Sequence, residues 1–426
     1  MNTNINRLKP RLIYVYGQFE GGFEPSLVGL LETTVSRGKE LFSFSYEESW
    51  LSHSYAQTID PEIYHFSGKQ YAPIHRRNFG VFLDSSPDRW GRFLMDRREG
   101  LLAREEGRPV RKLLESDYLL GVYDEHRVGA LRFKLDPKKE FLDNRREYAS
   151  PPWASLRELE AASLALESED AEKDKNYGRW LNMLIAPGGS LGGARPKASV
   201  IDESGHLWIA KFPSRLDEYD IAAWEMLTHL LAKKAGISVP EARLEKFYGN
   251  HHTFLTRRFD RGLQNQRLYF SSAMTLLQHS DGDDASYGVS YLELLEFILK
   301  GGAKPQRDLE ELWRRIIFNI CVSNTDDHLR NHGFILERQG WVLSPAFDLN
   351  PNPLGDGLKL NISETDNSQD LNLARDVAPL FRLNSKQVET ILCEVRSSIR
   401  TWQFEAEKLG IPKKEQLKMK EAFRLA

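Results

Sequence analysis

Residues 312–322 recur in apolar character at helical spacing, through Leu312, Ile316, Ile317 and Ile320, and this run passes directly into Asn324-Thr325-Asp326-Asp327-His328-Leu329-Arg330-Asn331. This junction constrains the chain more than any other. Two carboxylates, an imidazole and two amides at the end of a buried helix are costly unless something binds there. An Asp followed five positions later by an Asn, as with Asp326 and Asn331, is the spacing of a phosphotransferase catalytic loop. In such a loop the Asp handles the acceptor hydroxyl and the Asn holds a metal. A further carboxylate, Asp348 in Ser344-Pro-Ala-Phe-Asp-Leu-Asn-Pro351, follows a short predicted hairpin (residues 334–344). It falls where a second metal-binding carboxylate is needed.

Such a loop needs phosphate-binding parts upstream. Residues 187–197 hold four glycines and a serine within six positions, including Ser190, Gly192 and Gly193, and then Ala194. Such a backbone can take positive φ and turn N–H groups toward an anion. The segment matches neither the Walker pattern nor the dinucleotide fingerprint, and alone it reads as a plain mobile loop. Its context changes that, because it leads into two predicted strands, 198–202 and 207–212, joined by Glu203-Ser-Gly-His206. A loop that opens a hairpin over phosphates is the protein-kinase arrangement. Lys211, near the end of the second strand, is either an exposed strand-end lysine or the lysine that pairs the nucleotide's α/β-phosphates.

That lysine requires a carboxylate from a following helix, predicted over 219–235 with Gly236 as its stop. Glu225 lies on the inward stripe with Ile221, Trp224, Thr228 and Leu231, and is favoured over Asp217, Glu218 and Asp220. Residues 237–247 and 253–261 read as two more strands. The second is expected to end the sheet and lead through 262–266 to a hinge between lobes. Adenine would bond to backbone near Arg257, Arg258 and Phe259, while Arg257, Arg258 and Arg261 read equally well as surface charges.

The N-terminal stretch reads as strands at 12–17, 27–32 and 41–46, helical segments near 90–95 and 111–115, and a closing strand at 127–134. Prolines 137, 151 and 152 suggest a boundary near 140–152. The predicted domains are 1–145, a β-rich subdomain; 146–260, an ATP-binding small lobe; and 261–426, a helical catalytic lobe. Residues 350–376 are expected to form a surface loop and 387–409 one long amphipathic helix. The basic tail 411–426 reads as a soluble helix face, with DNA-backbone contact the lesser alternative. With 41% hydrophobic and 28% charged residues, and no apolar run near membrane-spanning length, the chain is expected to be a soluble α+β protein of the cytoplasm. The first ten residues have no apolar signal core. A formal charge of −3 argues against a chain-wide nucleic-acid surface. Cys321 and Cys393 read as small core residues.

Taken in order, the motifs resemble the HipA family, the serine/threonine kinase toxins of bacterial toxin–antitoxin systems. The resemblance rests on Phe82-Leu-Asp-Ser-Ser-Pro-Asp88, Val128-Gly-Ala-Leu131, Ser190-Leu-Gly-Gly-Ala-Arg-Pro-Lys197 and Ile209-Ala-Lys-Phe-Pro213. It continues through Arg258-Phe-Asp-Arg261 and Asn324–Asn331 to Phe347-Asp-Leu349. It implies a two-lobed kinase-like fold, related to the phosphoinositide and protein kinases, with a preceding β-rich subdomain. It further implies Asp326 as the catalytic aspartate, Asn331 and Asp348 as Mg²⁺ ligands, Lys211 on the ATP phosphates, and Ser190 as an autophosphorylated switch. Family members phosphorylate aminoacyl-tRNA synthetases, pair with a helix-turn-helix, HipB-like antitoxin, and bind operator DNA with it. His328 has a counterpart in the Asp-x-His-x-x-Asn loop of phosphoinositide kinases, where it stabilises transferring charge; a structural hydrogen bond is the equal alternative.

Two other functions compete. A metal phosphohydrolase would need further His/Asp clusters, and His251, His252 and His279 lack that spacing. A catalytically silent corepressor would use the fold only to hold an antitoxin on DNA.

Overall fold

The computed structural model describes residues 10–426 except 20–23, 37, 54–56, 146–148, 150, 186–192 and 194. The N-terminal sheet contains β1 (Arg11–Gly17), β2 (Ser26–Ser36), β3 (Lys39–Tyr46), β4 (Gln70–Tyr71) and β5 (Leu131–Lys134), in the antiparallel order β4-β3-β2-β1-β5. Alternation along β1 buries Ile13 and Val15 and leaves Tyr14 and Tyr16 partly exposed, as a half-buried strand requires. The buried face packs with Phe44, Phe82 and Phe133. Residues 111–114 are irregular, and a helix begins only at Glu115–Leu120.

The second sheet joins β6 (Lys197–Ile201), β7 (Leu207–Lys211), β8 (Ala242–Glu245) and β9 (Thr253–Arg257) in the order β6-β7-β9-β8. The later of the two strands predicted downstream of Lys211, β9, is therefore internal, and β8 is the edge. The register sets Lys197 against Lys211 and Lys211 against Phe254. Those side chains share one face, and Ala198, Val200, Ala210 and Leu255 take the other. The second face is covered by helices Arg89–Glu105, Leu156–Leu166 and Tyr177–Ile185 through Trp90, Leu94, Leu159 and Leu181.

Helix Ile221–Lys234 starts on Asp220, whose carboxylate accepts from Ala223 N, and stops before Gly236 at φ +80°. Trp224, Leu227 and Leu231 join it to the large C-terminal core. That core is centred on helix Pro305–Val322, which has proline in its first turn and a left-handed Ser323 at its end. After this helix and its loop, the hairpin β11 (Gly333–Glu337) and β12 (Gly340–Leu343) pairs with β10 (Phe270–Ser272) from before the helix, in the order β10-β11-β12, and returns the chain to Asp348.

The C-terminal region departs from expectation in three places. The 387–409 helix is two helices, Ser385–Ile399 and Trp402–Lys408, and 350–376 runs into helix Leu371–Val377. The tail is not a free polar face. Phe423 stacks on Trp402 at 4.6 Å, both lie near Trp224, and Glu415 accepts from the Trp224 indole at 3.1 Å. Cys321 is buried, whereas Cys393 is exposed and not a core residue. No described helix is long and apolar enough to cross a membrane.

Candidate active site

Lys211 is the meeting point of the two lobes. Its Nζ lies 2.5 Å from Glu225 Oε1 and 2.6 Å from Asp348 Oδ1. Glu225 comes from the second turn of helix Ile221–Lys234 and is buried, whereas Glu218 is exposed and the other two competing carboxylates are used elsewhere. Asp220 caps that helix and binds the His252 ring, and Asp217 takes a two-pronged contact from Arg195 at 2.6 and 3.1 Å. Burial works against the Lys211 charge, but Asp348 and Glu225 outweigh it and raise its pKa. Burial also acts against the Asp348 carboxylate, yet Lys211, with Lys197 and His328 farther off, holds it below the usual range. For Glu225 burial prevails and pushes the carboxyl up.

Asp348 adopts φ +61°, a conformation that L-residues seldom hold without surrounding support. The support comes from Leu349, whose carbonyl accepts from Thr228 Oγ1 at 2.5 Å, and from Asn350, whose N–H approaches Asn324 Oδ1 at 3.4 Å. The turn after Phe347 is thereby fixed to both lobes.

The Asn324–Asn331 loop divides its polar groups between interior and surface. Asp327 is 3% exposed and accepts from Tyr291 Oη at 2.6 Å, Asn319 Nδ2 at 2.7 Å and the His332 ring at 2.8 Å. Asn324 donates to Asn319 Oδ1 at 3.1 Å. The protein therefore satisfies much of the polarity that the sequence suggested a ligand must satisfy. Asp326, by contrast, is exposed and lines a groove with Asp284, Thr325, Asn352 and Asp356. Asn331 is buried and donates to Asp326 O at 3.1 Å, which ties both ends of the five-residue spacing into one turn. His328 Nδ1 is buried with no hydrogen-bond partner among the described residues.

Between the lobes lies a pocket lined by Ile209, Phe254, Phe259, Ala346, Phe347 and Leu349, with Lys211, Glu225 and Asp348 also on its wall. Arg257 and Arg258 also line it, so the structure brings Lys211, Glu225, Arg257, Arg258, Phe259 and Asp348 together around one cavity. Arg258 and Arg261 are not surface charges. Arg258 is 2% exposed, pairs with Asp260 at 2.6 Å and donates to His126 O at 2.6 Å, so its guanidinium is committed away from the cavity. Arg261 pairs with the same carboxylate at 2.7 Å.

Of the glycine-rich segment, Ser190, Gly192 and Ala194 lie outside the described residues. Gly193 has φ +103°, and its carbonyl accepts from Lys197 Nζ at 3.1 Å. Lys197 is 3% exposed, lies across the hairpin from Lys211 and forms a 2.9 Å ion pair with Asp88 of the N-terminal subdomain. Sequence reasoning did not select Lys197, nor Asn319 and His332 beneath the loop. The only signal was that Lys197 ends the glycine-rich segment on a strand paired with that of Lys211.

Among the described residues no three His, Cys, Asp or Glu side chains stand close enough to hold a metal ion unaided. The donor set of Asp348 and Asn331 suits an ion that takes one or two protein oxygens and completes its shell from phosphates and water. His252 and His279 are engaged with Asp220 and with Glu293 and Asp283 respectively.

Residues 189–402 match the model of the HipA-like C-terminal domain. A Haemophilus influenzae protein named "Putative kinase" is 31% identical over 179 residues, which is 38% of this chain and 52% of that protein; the match thus spans about half the relative's length. The solved Shewanella oneidensis MR-1 toxin–antitoxin complex of HipA, HipB and operator DNA contains a chain that superposes with a TM-score of 0.65 at 17% identity. The superposition covers 97% of this chain and 95% of that one, and shows that the α+β fold is shared over nearly the whole length.

Proposed function

The chain belongs to the HipA family by the match over 189–402, and from that premise we propose that it is an ATP-dependent kinase of serine or threonine hydroxyls in a protein. The observation that carries this is Lys211, held at 2.5 Å from Glu225 and 2.6 Å from Asp348 across the interlobe pocket. A lysine so placed is positioned for nucleotide phosphates beside a carboxylate for their counter-ion. The apolar lining by Ile209, Phe254 and Phe259 suits an adenine ring, with main-chain groups near Arg257–Phe259 to orient it. Gly192, Gly193 and Ala194 would cover the phosphates.

Asp348 and Asn331 would hold Mg²⁺, which when bound neutralises charge on the phosphate oxygens. Asp326, exposed at the mouth of its groove, would accept the proton of the attacking hydroxyl. Lys211 would balance charge on the α/β-phosphates, with Glu225 fixing its position. The ring nitrogen Nδ1 of His328, without a hydrogen-bond partner among the described residues, supports a role toward a phosphate oxygen over a purely structural bond. Catalysis in this arrangement is positioning and charge neutralisation.

We assign the chain as the toxin of a bacterial toxin–antitoxin pair, acting on a translation-related protein, in the first instance an aminoacyl-tRNA synthetase. Ser190 is its autophosphorylation site and a helix-turn-helix, HipB-like antitoxin its partner on operator DNA. The fold shared with the HipA of a HipA–HipB–operator complex supports the partner assignment. The alternative is a catalytically silent corepressor.

Incubation with ATP and Mg²⁺, followed by intact mass and peptide mapping, tests the assignment. Phosphate on Ser190 that disappears in Asp326→Ala and in Asp348→Ala, both with unchanged circular dichroism, is the expected result. Undiminished transfer in either variant overturns the residue roles. Salt-sensitive operator binding with no transfer at all selects the corepressor.

A further inference from the structure

A second cleft opens on the other side of the catalytic loop, between the N-terminal subdomain and the C-terminal lobe. Arg76, Arg77, Arg89 and Arg92 come from the first and Arg330 from the second; the floor includes Leu83, Met274 and Phe347. Arg330 stands between Asp326 and Asn331 in sequence, so the cleft borders the loop that carries the proposed chemistry.

Several of its charges are poorly satisfied. Asp281 stands between Arg89 at 3.9 Å and Arg330 at 3.7 Å, too long for hydrogen bonds, and all three side chains keep solvent access. Arg77 is 74% exposed and reaches Glu115 only at 3.7 Å. Arg76 is 4% exposed, with Glu62 as its ionic contact at 3.1 Å, and its Nε and Nη2 have no hydrogen-bond partner among the described residues. Arg92 is held in a fork by Glu115 at 2.7 and 2.9 Å, but one loosely held carboxylate, Asp281, bridges the subdomain and the C-terminal lobe, and Arg77, Arg89 and Arg330 around it can each take a carboxylate in a fork. Just beside this wall, Ile74 is 98% exposed.

We propose that this cleft is the docking site for an acidic segment of the acceptor protein, with carboxylates and at least one apolar side chain flanking the phosphorylated hydroxyl. The inference rests on the kinase reading for its purpose, though not for the binding itself. A peptide is favoured over a nucleic acid because the apolar floor and Ile74 offer nothing to a phosphate backbone. The contrast with the Asp326 groove, whose wall carries Asp284 and Asp356, places the acidic flank on the Arg330 side alone.

The test uses the full chain and three short fluorescein-labelled peptides, each with one serine, flanked by Glu/Asp and Leu, by Lys and Leu, or by Gln and Leu. Anisotropy without nucleotide reads docking, and transfer from ATP reads catalysis. Arg77→Glu and Arg89→Glu are combined; both side chains are exposed, and an acidic residue suits the first turn of helix Arg89–Glu105. The acidic peptide is expected to bind best, and the double variant to weaken it about tenfold, raising its KM while leaving its kcat and ATP binding unchanged. Equal binding of the three peptides, or indifference to the double variant, overturns the proposal. So does tighter binding of a single-stranded RNA oligonucleotide that the double variant abolishes, which assigns the cleft to nucleic acid. Charge-selective docking without any phosphoryl transfer sustains the docking site and overturns the kinase reading, so the two failures are separable.

Discussion

At the scale of single residues, the environment of each ionisable group decides its role. His229 lines the interlobe pocket beside Phe254 and is pushed down to about 4, chiefly by burial, with Lys233 and Lys211 acting in the same direction. A histidine with a depressed folded-state pKa contributes stability that is complete above the unfolded value near 6.5. That stability is lost as pH falls toward 4, because the unfolded chain takes up the proton first. The span corresponds to roughly 3 kcal/mol at most. Asp60 works in the opposite direction: burial raises it to about 6, so its penalty is relieved as pH falls through that value. The wild-type profile alone is therefore a mixture. The difference between wild type and His229→Gln isolates one group, and thermal midpoints should fall less steeply for the variant between pH 6.5 and 4.5. Parallel profiles would show that His229 is protonated as readily in the folded protein as in the unfolded chain.

At the scale of elements, helix Pro305–Val322 and the loop after it show where sequence reading succeeds and stops. The helix was legible from its period, though it begins at Pro305, upstream of the apolar run that revealed it. The difference between Asp326 and Asp327 was not, since neighbouring identical residues carry identical local signals. The left-handed Ser323 and the turn after it point one outward and set the other against Tyr291, Asn319 and His332, which lie from 5 to 36 positions away in sequence. Asp327→Ala should therefore cost about 3–5 kcal/mol, because it leaves three buried donors without an acceptor. Asp327→Asn keeps the volume and one acceptor but turns an amide toward donors, so it should cost less. Urea midpoints for the two variants check this. Asp326→Ala, at an exposed position, should leave the midpoint within about 0.5 kcal/mol of wild type. The strands around Lys211 were legible for the same reason as the helix, whereas the placement of β9 inside its sheet depends on pairing partners that no local pattern encodes. The tail misled because the same amphipathic pattern suits both a solvated helix and one covering Trp224.

At the scale of the whole molecule, the N-terminal subdomain is seated on the hinge between the lobes by a buried charge network whose members lie far apart in sequence. Asp260 accepts from Arg258, Arg261 and Gly129 N, the last at 2.9 Å, across 131 positions. Arg258, Arg261 and Arg267 donate in turn to main-chain carbonyls of residues 124–129. Gly129 has φ +71°, and a side chain there would meet the Phe270 backbone at 3.3 Å, so the close approach needs glycine. Burial opposes the Asp260 charge, but Arg258 and Arg261 hold it far below the usual carboxylate range. Its contribution is thus present above the unfolded value near 4 and is lost as pH falls below it. Asp260→Ala leaves two buried guanidinium groups without their carboxylate, an expected loss of about 3–5 kcal/mol. Because the lost contacts join subdomains, the damage should be regional: limited proteolysis should cut the variant near residues 262–266 while the C-terminal core stays resistant. Unchanged proteolysis together with a fully cooperative loss of stability would instead mean that hinge, subdomain and catalytic lobe unfold as one unit. The cleft bordered by Arg89 and Arg330 would then be a rigid groove, not one that a bound segment helps to close.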